Sequence, residues 1–246
     1  MRRVETVETR FQTLEVWKSA TATEFRVAGA IHASHHRSRL LTGLAWDVIA
    51  AGCLLRADGP PKSLLMLGLA GGTSCRVLRK LLPDCSITAV EIDTRIIDLA
   101  KEHMDLDSLG IEIINIDAYP WLAKNRRMFD VVFDDIYLAG KTDVFRPKMW
   151  NPELLGHLRR AVEPGGLLGV NLVTGSGHRA MQVHTRKILH HGFHTIRSLR
   201  TPGSLNEVLM AGDRVATRAR LDAFASAFAD WRDREYWDII DVRKLI

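Results

Sequence analysis

The sequence predicts an α/β fold built on a doubly wound, mostly parallel sheet of seven strands that ends in an antiparallel hairpin. Strand-like and helix-like segments alternate from residue 63 onward, which is typical of such sheets. Residues 63–68 form a short, continuous apolar run, as expected of a central parallel strand. Two late strand-like segments flank a turn cluster at 200–204, which predicts the closing hairpin.

A small β-hairpin is predicted before this sheet. Residues 11–18 and 24–33 are rich in aromatic and β-branched side chains, as strands are. Apolar residues with helical spacing then predict a helix over 38–55. The cluster of Gly, Pro and Asp at 57–61 marks a boundary, which divides the chain into domains 1–56 and 57–246.

The second domain carries the alternating elements. Asn151 and Pro152 predict the start of one helix, as its N-cap and first helical residue, and 164–166 predict its end. The predicted strands cover residues 63–68, 86–91, 111–116, 129–134, 167–173, 193–199 and 205–211. The other helices cover residues 73–82, 94–103, 118–125 and 177–190.

Composition excludes several classes of protein. With 246 residues, 46% hydrophobic and 26% charged, the chain is globular rather than disordered. Its net charge of +5 is spread out, so we expect no nucleic-acid partner. No run of 18 apolar residues predicts a membrane span. The three cysteines have no metal-like spacing, which favours reduced core thiols in a cytoplasmic protein without a metal site.

The segment 67–74 follows the first sheet strand and opens a helix. Small residues at Gly68, Ala70 and Gly72 let a ligand approach the backbone, and the helix N-terminus offers N–H groups. The dinucleotide pattern Gly-x-Gly-x-x-Gly fits poorly, because Thr73 takes its last place. A nucleoside ligand fits better than a pyrophosphate. The alternative is a tight turn that binds nothing.

Carboxylates follow the next two strands. Glu91 ends the second strand, where it can accept hydrogen bonds from a ribose diol. Asp117, with Ala118 beside it, follows the third strand, where it can accept from an adenine amino group. The alternatives are a solvated acid at Glu91 and a helix N-cap at Asp117.

Two adjacent acids, Asp134 and Asp135, end the fourth strand. Neighbouring carboxylates repel, so one of the two is expected to have a raised pKa that suits proton transfer. Ligands of open α/β sheets bind along this carboxyl edge. Four sites on consecutive strand ends therefore predict one binding site.

Residues 63–135 resemble the core of the spermidine synthase family, within the class I S-adenosylmethionine-dependent methyltransferase superfamily. The matching segments are LLMLGLAGGTSCRVLRKLLP, AVEIDTRIIDLAKEHM, NIDAYPWL and FDVVFDD. The resemblance implies a Rossmann-like fold and a bound adenosyl donor, S-adenosylmethionine or its decarboxylated form. The corresponding products are S-adenosylhomocysteine and methylthioadenosine. It also implies that Glu91 holds ribose, Asp117 holds adenine, Gly68 and Gly72 line the nucleoside, and Asp135 is the catalytic base.

Two departures from that family guide the predicted reaction. Gly71 stands where an aminopropyltransferase has an Asp that faces the donor's amine, and no second acid follows Asp135 in its Ile-Tyr-Leu segment. An Asp in the loop would repel the carboxylate of intact S-adenosylmethionine, whereas the helix start at Thr73-Ser74 offers donors to it. We therefore predict methyl transfer to a small amine or hydroxyl acceptor. Aminopropyl transfer to a diamine is the alternative, and a non-catalytic adenosyl-binding protein is a second one.

The predicted acceptor site centres on Asp135, which would take a proton from the nucleophile or orient it. Asp134 and Tyr137 would shape that position, although Tyr137 alternatively packs in its loop. The acceptor would lie among segments 31–43, 135–150 and 174–180. We expect a small-molecule partner, no membrane partner, and a possible homodimer formed through the N-terminal hairpin.

Overall fold

The N-terminal region is a four-stranded antiparallel sheet rather than a hairpin. The computed structural model describes residues 1–140 and 143–246. Strands β1 (Arg2–Glu8), β2 (Thr13–Lys18), β3 (Ala22–Val27) and β4 (Ala30–His36) pair in chain order. The predicted strand 24–33 is two strands, because Ala28 and Gly29 both have positive φ and turn the chain.

Helix α1 (Ala45–Cys53) is shorter than the predicted 38–55. The chain before it is a turn, in which Gly43 has a φ of 75°. Asp47, in the first turn of α1, accepts hydrogen bonds from the backbone N–H groups of Thr42 and Gly43 at 2.9 and 2.6 Å. The helix was predicted too long because Leu41, in this turn, is also buried and continues the apolar spacing of the helix.

The main sheet has eight strands in the order β14-β12-β13-β11-β8-β5-β6-β7. The five strands from β11 to β7 are parallel to one another. Beyond β11, each of the pairs β11–β13, β13–β12 and β12–β14 is antiparallel. The strands are β5 (Ser63–Leu67), β6 (Ser86–Glu91), β7 (Glu112–Asn115), β8 (Phe129–Asp134), β11 (Val162–Val173), β12 (Thr195–Arg200), β13 (Asn206–Gly212) and β14 (Asp241–Lys244). The predicted α/β class and closing hairpin are confirmed.

Helices cover both faces of this sheet. They are α2 (Thr73–Leu81), α3 (Thr94–Met104), α4 (Ala118–Lys124), α5 (Pro152–Arg160), α6 (Arg179–Gly192), α7 (Ala219–Asp222) and α8 (Trp231–Asp238). A two-stranded hairpin, β9 (Leu138–Ala139) and β10 (Val144–Phe145), follows β8. Asn151 caps α5 as predicted, with its Oδ1 accepting from the Leu154 N–H at 2.7 Å.

Strand β5 shows why the sheet has two apolar faces. Successive side chains of a strand point to opposite sides. Leu64 and Met66 pack into the core shared with the N-terminal sheet, whereas Leu65 and Leu67 pack into the core under α4 and α5. The continuous apolar run is thus explained by burial on both faces.

Two differences from the expected sheet lie in its second half. An eighth strand, β14, pairs with the outer side of β12, which adds an edge strand to the predicted seven. Strand β11 begins at Val162, because residues 164–166 form a register shift within the strand rather than a separate turn before it. No helix in the described ranges is long and apolar enough to cross a bilayer.

The N-terminal sheet packs on one face of the main sheet. Leu14, Val16 and Phe25 are at most 1% exposed and belong to the same apolar cluster as Met66 and Met104. This packing places the inner side of β2 and β4 over the carboxyl edge of the parallel strands. The division of the chain at residue 56 remains a prediction.

Candidate active site

A cavity of about 550 Å³ lies at the carboxyl edge of the parallel strands. Its walls come from the strand ends after β5, β6, β8 and β11, from the N-terminal sheet, and from the turn at 203–206. Of the predicted acceptor segments, 31–43 contributes only Ile31 and His32. The turn of the closing hairpin was predicted, but not that its residues 203–206 line the cavity. Lys141 and Thr142, inside the predicted segment 135–150, lie outside the described residues.

The glycine-rich loop forms the floor of the cavity. Gly68, Ala70 and Gly72 all line it, and all three have positive φ, at 88°, 47° and 73°. A Cβ atom at Gly68 would lie 2.6 Å from the carbonyl oxygen of Asp135, so only glycine lets β5 and β8 close together here. The predicted small residues are therefore at the cavity, as expected.

Glu91 holds this loop in its unusual conformation. Its Oε2 accepts the N–H groups of Leu69 and Ala70 at 3.0 and 3.1 Å, and its Oε1 accepts the Asp93 N–H at 3.0 Å. Glu91 is 8% exposed and lines the cavity. A carboxylate has about four acceptor sites, so three backbone bonds leave room for a ligand hydroxyl.

Two buried acceptor atoms in the cavity wall have no hydrogen-bond partner in the described part of the chain. They are Asp93 Oδ2 and Gln12 Oε1. The other oxygen of Asp93 caps α3 through the Arg95 N–H at 3.0 Å. Since a buried acceptor without a partner costs free energy, these atoms fit a ligand that donates N–H or O–H groups.

The third strand end contributes Ala118 to the cavity rather than Asp117. Ala118 is buried and lines the cavity. Asp117 is exposed, and its Oδ1 accepts the Tyr119 N–H at 3.0 Å as the N-cap of α4. The capping alternative therefore describes Asp117 as the structure places it, and its contact with adenine remains a prediction.

Gly71 does not face the cavity, contrary to the reasoning from sequence. A Cβ atom there would lie 2.5 Å from Ala33 Cβ and closer still to Met104 Sδ. Glycine is required because the loop packs directly on β4 and α3. Thr73 is also turned away, since its hydroxyl donates to the Ser34 carbonyl at 3.0 Å. Neither of these side chains faces the cavity, whereas Ser74, the second residue of the predicted helix start, lines it.

Asp134 is likewise outside the cavity, which corrects its predicted role in shaping the acceptor site. Its side chain is fully buried. Its Oδ1 lies 2.7 Å from Arg146 Nη1, and its Oδ2 accepts the Trp150 indole N–H at 2.7 Å. Asp134 therefore fixes the segment after β8 to the helical layer.

Asp135 faces the cavity. Its Oδ1 accepts from Asn171 Nδ2 at 2.8 Å, and Oδ2 has no donor among the described residues. Burial raises the pKa of Asp135 to about 7, against the opposing effects of Asn171 and Arg146. One acid of the pair thus has the expected raised pKa, but burial rather than repulsion between the two acids is the main cause.

Tyr137 lines the cavity with its ring and has its hydroxyl committed to the backbone. The hydroxyl donates to the Asn171 carbonyl at 2.9 Å and accepts the Val173 N–H at 3.2 Å. The Arg146 guanidinium lies 4.8 Å from the ring centre. Tyr137 therefore shapes the wall, and its hydroxyl is not available as a proton donor to an acceptor.

Asp143, which the sequence analysis did not single out, also lines the cavity. Asp143 lies before β10, and its Oδ2 is 3.0 Å from His178 Nε2. The hydrogen bond with His178 lowers the pKa of Asp143. With Glu91, Asp93 and Asp135, it makes four carboxylates at the cavity, and none of the described lining residues is Lys or Arg.

Comparisons with known proteins agree with this geometry. No protein-family model matches the chain. It is 36% identical over 133 residues to the protein named "Probable polyamine aminopropyl transferase" from Bifidobacterium longum, covering 54% of the chain and 28% of that protein. It is 26% identical over 155 residues to an eEF1A lysine and N-terminal methyltransferase homolog from Drosophila melanogaster, covering 60% and 23%. The chain thus spans less than a third of either relative.

A solved structure shares the whole fold. The crystal structure of a probable spermidine synthase from Corynebacterium glutamicum superposes with a TM-score of 0.74, over 99% of this chain and 91% of that one, at 17% identity. This likeness shows that the chain has the Rossmann-like fold of spermidine synthase structures. The sequence and structure comparisons together support a likeness to spermidine synthase-like proteins among the S-adenosylmethionine-dependent transferases.

Proposed function

We propose that this protein transfers an aminopropyl group from decarboxylated S-adenosylmethionine to an amine acceptor. The observation that carries the proposal is the cavity itself. Four carboxylates line it, none of its described lining residues is Lys or Arg, and its unpartnered buried atoms are acceptors. Such a cavity favours cationic ligands that donate hydrogen bonds.

This proposal reverses the preference for methyl transfer drawn from sequence. That preference depended on Gly71 facing the donor and on the helix start at Thr73-Ser74 binding its carboxylate. Gly71 faces Ala33 and Met104 instead, and the Thr73 hydroxyl is committed to the Ser34 carbonyl, which leaves Ser74 as the one of these residues at the cavity. A donor with a free carboxylate would bring a negative charge to a site that holds Glu91 and Asp93. The terminal amine of decarboxylated S-adenosylmethionine would instead donate a hydrogen bond to the unpartnered Oδ2 of Asp93.

The chain's own residues would act by positioning and by accepting one proton. Glu91 and the loop 68–72 would hold the nucleoside, whose sulfonium supplies the leaving group when bound. The acceptor nitrogen bonds to the carbon beside sulfur, the S–C bond breaks, and its electron pair stays on the neutral thioether. The nitrogen loses one proton, which Asp135 Oδ2 accepts.

Methyl transfer to an amine remains a second candidate. The Drosophila relative is named as a methyltransferase, and the chain lacks the second acid of the Asp-x-x-Asp-Pro segment in the expected place. Asp143, later in the same segment after β8, lines the cavity. If Asp143 takes the place of that acid, the missing residue no longer argues against a polyamine acceptor.

Product analysis with both donors tests the proposal. Purified protein would be incubated with either donor and a panel of diamines, and products identified by mass spectrometry. We expect methylthioadenosine and an aminopropylated amine from the decarboxylated donor. Formation of S-adenosylhomocysteine and a methylated amine instead would establish the second candidate, and no product from either donor would contradict both.

Asp135→Asn is the informative variant in this assay. It keeps the size of the side chain and removes the base, so turnover should fall by about 10²–10⁴-fold. Methylthioadenosine binding, measured by calorimetry, should stay within a few-fold of wild type. Asp98→Asn is the matched control, because Asp98 lies on α3 with its side chain 54% exposed.

A further inference from the structure

Asp135 is the end of a chain of hydrogen bonds that runs along the cavity wall. Asn171 Nδ2 donates to Asp135 Oδ1 at 2.8 Å, and Asn206 Nδ2 donates to Asn171 Oδ1 at 3.0 Å. The hydroxyl of Ser204 donates to Asn206 Oδ1 at 2.9 Å. All four residues line the cavity.

The chemistry of these groups determines which of them donates in each hydrogen bond. An ionised carboxylate only accepts hydrogen bonds, so the Asn171 group that faces Asp135 must be its NH₂. The Asn171 oxygen then faces Asn206, whose own NH₂ must donate to it. The Asn206 oxygen is left to accept from Ser204. Each amide therefore fixes the orientation of the next.

The sheet holds both amides in place. Asn171 lies on β11 opposite Val208 of β13, and Asn206 pairs with Val173, so Asn171 and Asn206 are diagonal neighbours on one face. The Asn171 carbonyl accepts from both Arg146 and Tyr137, each at 2.9 Å. Asn171 thus has little freedom except rotation of its amide, which Asn206 prevents.

We propose that Asn206, acting through Asn171, is a positioning residue that orients the carboxylate of Asp135 and leaves its Oδ2 free for the acceptor. The inference deepens the proposed function and depends on it for the identity of the acceptor. Asn206 touches neither Asp135 nor the reacting atoms. Its contribution is to keep the Asn171 NH₂ facing the base.

Two substitutions separate this role from a merely structural one. Asn206→Ala removes the bond that orients Asn171. Asn206→Asp does more, because a carboxylate at 206 only accepts and would turn the Asn171 NH₂ away from Asp135. Its oxygen would then face Asp135 and disfavour the ionised form. The pKa of Asp135 is therefore expected to rise more in Asn206→Asp than in Asn206→Ala.

The pH dependence of Asp135 measures this effect. Loss of the Asn171 bond favours the protonated acid, so the titration midpoint should rise by about 0.5–1 pH unit in Asn206→Ala and further in Asn206→Asp. The acid limb of the pH–rate profile should move the same way, with kcat falling more than KM rises. The ionisable neighbours that act on Asp135, unchanged by these variants, are Cys75, Glu91, Asp134, Tyr137 and Arg146.

The experiment has a readout that does not need turnover. Carboxyl-labelled aspartate would be titrated by ¹³C NMR in the full chain, with the Asp135 signal assigned from Asp135→Asn. Ser204→Ala is a milder variant, expected to shift the midpoint slightly upward. Asn125→Ala is the control, because Asn125 Nδ2 donates to the Arg127 carbonyl at 2.8 Å after α4.

The outcomes distinguish the two proposals. Unchanged midpoints in both Asn206 variants, or a lower midpoint in Asn206→Asp, would overturn the positioning role whether or not the enzyme turns over. Raised midpoints would support it. A wild-type protein without transfer product, but with raised midpoints in the variants, would contradict the proposed function and leave the hydrogen-bond chain intact.

Discussion

Asp134 and Asp135 are adjacent in the chain but serve different parts of the molecule. Successive strand residues point to opposite faces, so Asp134 turns to the helical layer and Asp135 to the cavity. Asp134 meets Arg146 and Trp150, which neutralise and hold it. Asp135 meets one amide and is otherwise available to a ligand. The same residue type thus anchors a buried segment at one position and faces a cavity at the next.

Gly71 is required for packing, and its substitution tests that conclusion. Both Gly71→Ala and Gly71→Asp should destabilise the protein, by about 1–3 kcal/mol for the methyl group alone, because Met104 and Ala33 occupy the space. Urea denaturation measures the change. A stable Gly71→Asp variant that loses only its affinity for S-adenosylmethionine would contradict this and restore the charge argument made from sequence.

Residue spacing predicted part of the site but not all of it. Gly68, Glu91 and Asp135 follow strands that the apolar pattern locates well, so their meeting at one sheet edge could be foreseen. Asn171 also ends a predicted strand, but an amide alone signals no chemistry. Its significance depends on Asn206, which lies 35 residues further along the chain. Such a contact depends on strand register, which local patterns do not determine.

The turn before α1 shows the same limit for a whole element. Apolar spacing continued smoothly over 38–55, and yet the helix begins at Ala45. The carboxylate of Asp47 satisfies the N–H groups of Thr42 and Gly43, which stabilises a turn in place of another helical turn. Hydrogen bonds of this kind leave no periodic trace in a sequence.

Asp47→Ala should therefore be strongly destabilising. Unpaired N–H groups would be left in a buried turn, at a cost of about 1–3 kcal/mol, measurable by urea denaturation. Burial raises the pKa of Asp47 to about 7 from 3.8, so the folded chain retains a proton that the unfolded chain releases. This contribution to stability is lost as pH rises through 7.

The loss caused by Asp47→Ala should consequently be larger at pH 5 than at pH 8. Asp98→Ala on the exposed face of α3 serves as the control, with an expected change within about 0.5 kcal/mol. An equal loss at both pH values would argue against the raised pKa of Asp47.

At the scale of the whole molecule, the cavity lies where the N-terminal sheet meets the main sheet. Gln12 from the N-terminal region and Asp93 after β6 both present unpartnered acceptors to it. A ligand that bonds to both would connect the two layers. Binding and global stability should therefore be coupled.

Methylthioadenosine should accordingly raise the melting temperature in a concentration-dependent way. At 100 times its Kd a ligand adds about 2.7 kcal/mol, which corresponds to roughly 5–10 °C for a chain of this size. Differential scanning fluorimetry measures the shift, with adenine as the control that should give a smaller one. A melting temperature that is insensitive to methylthioadenosine would count against the nucleoside site.

The order of strands also has a consequence for how the chain folds. Strand β12 is made before β13, but β13 lies between β12 and β11 in the sheet. Until β13 is synthesised, β12 has no strand of the main sheet to pair with, and its edges are open to wrong partners. Asp135, which directly follows β8, also depends on the same strand, because Asn206 arrives with it. Correct pairing of one late strand therefore joins β12 to the sheet and completes the hydrogen-bonded wall of the cavity in a single event.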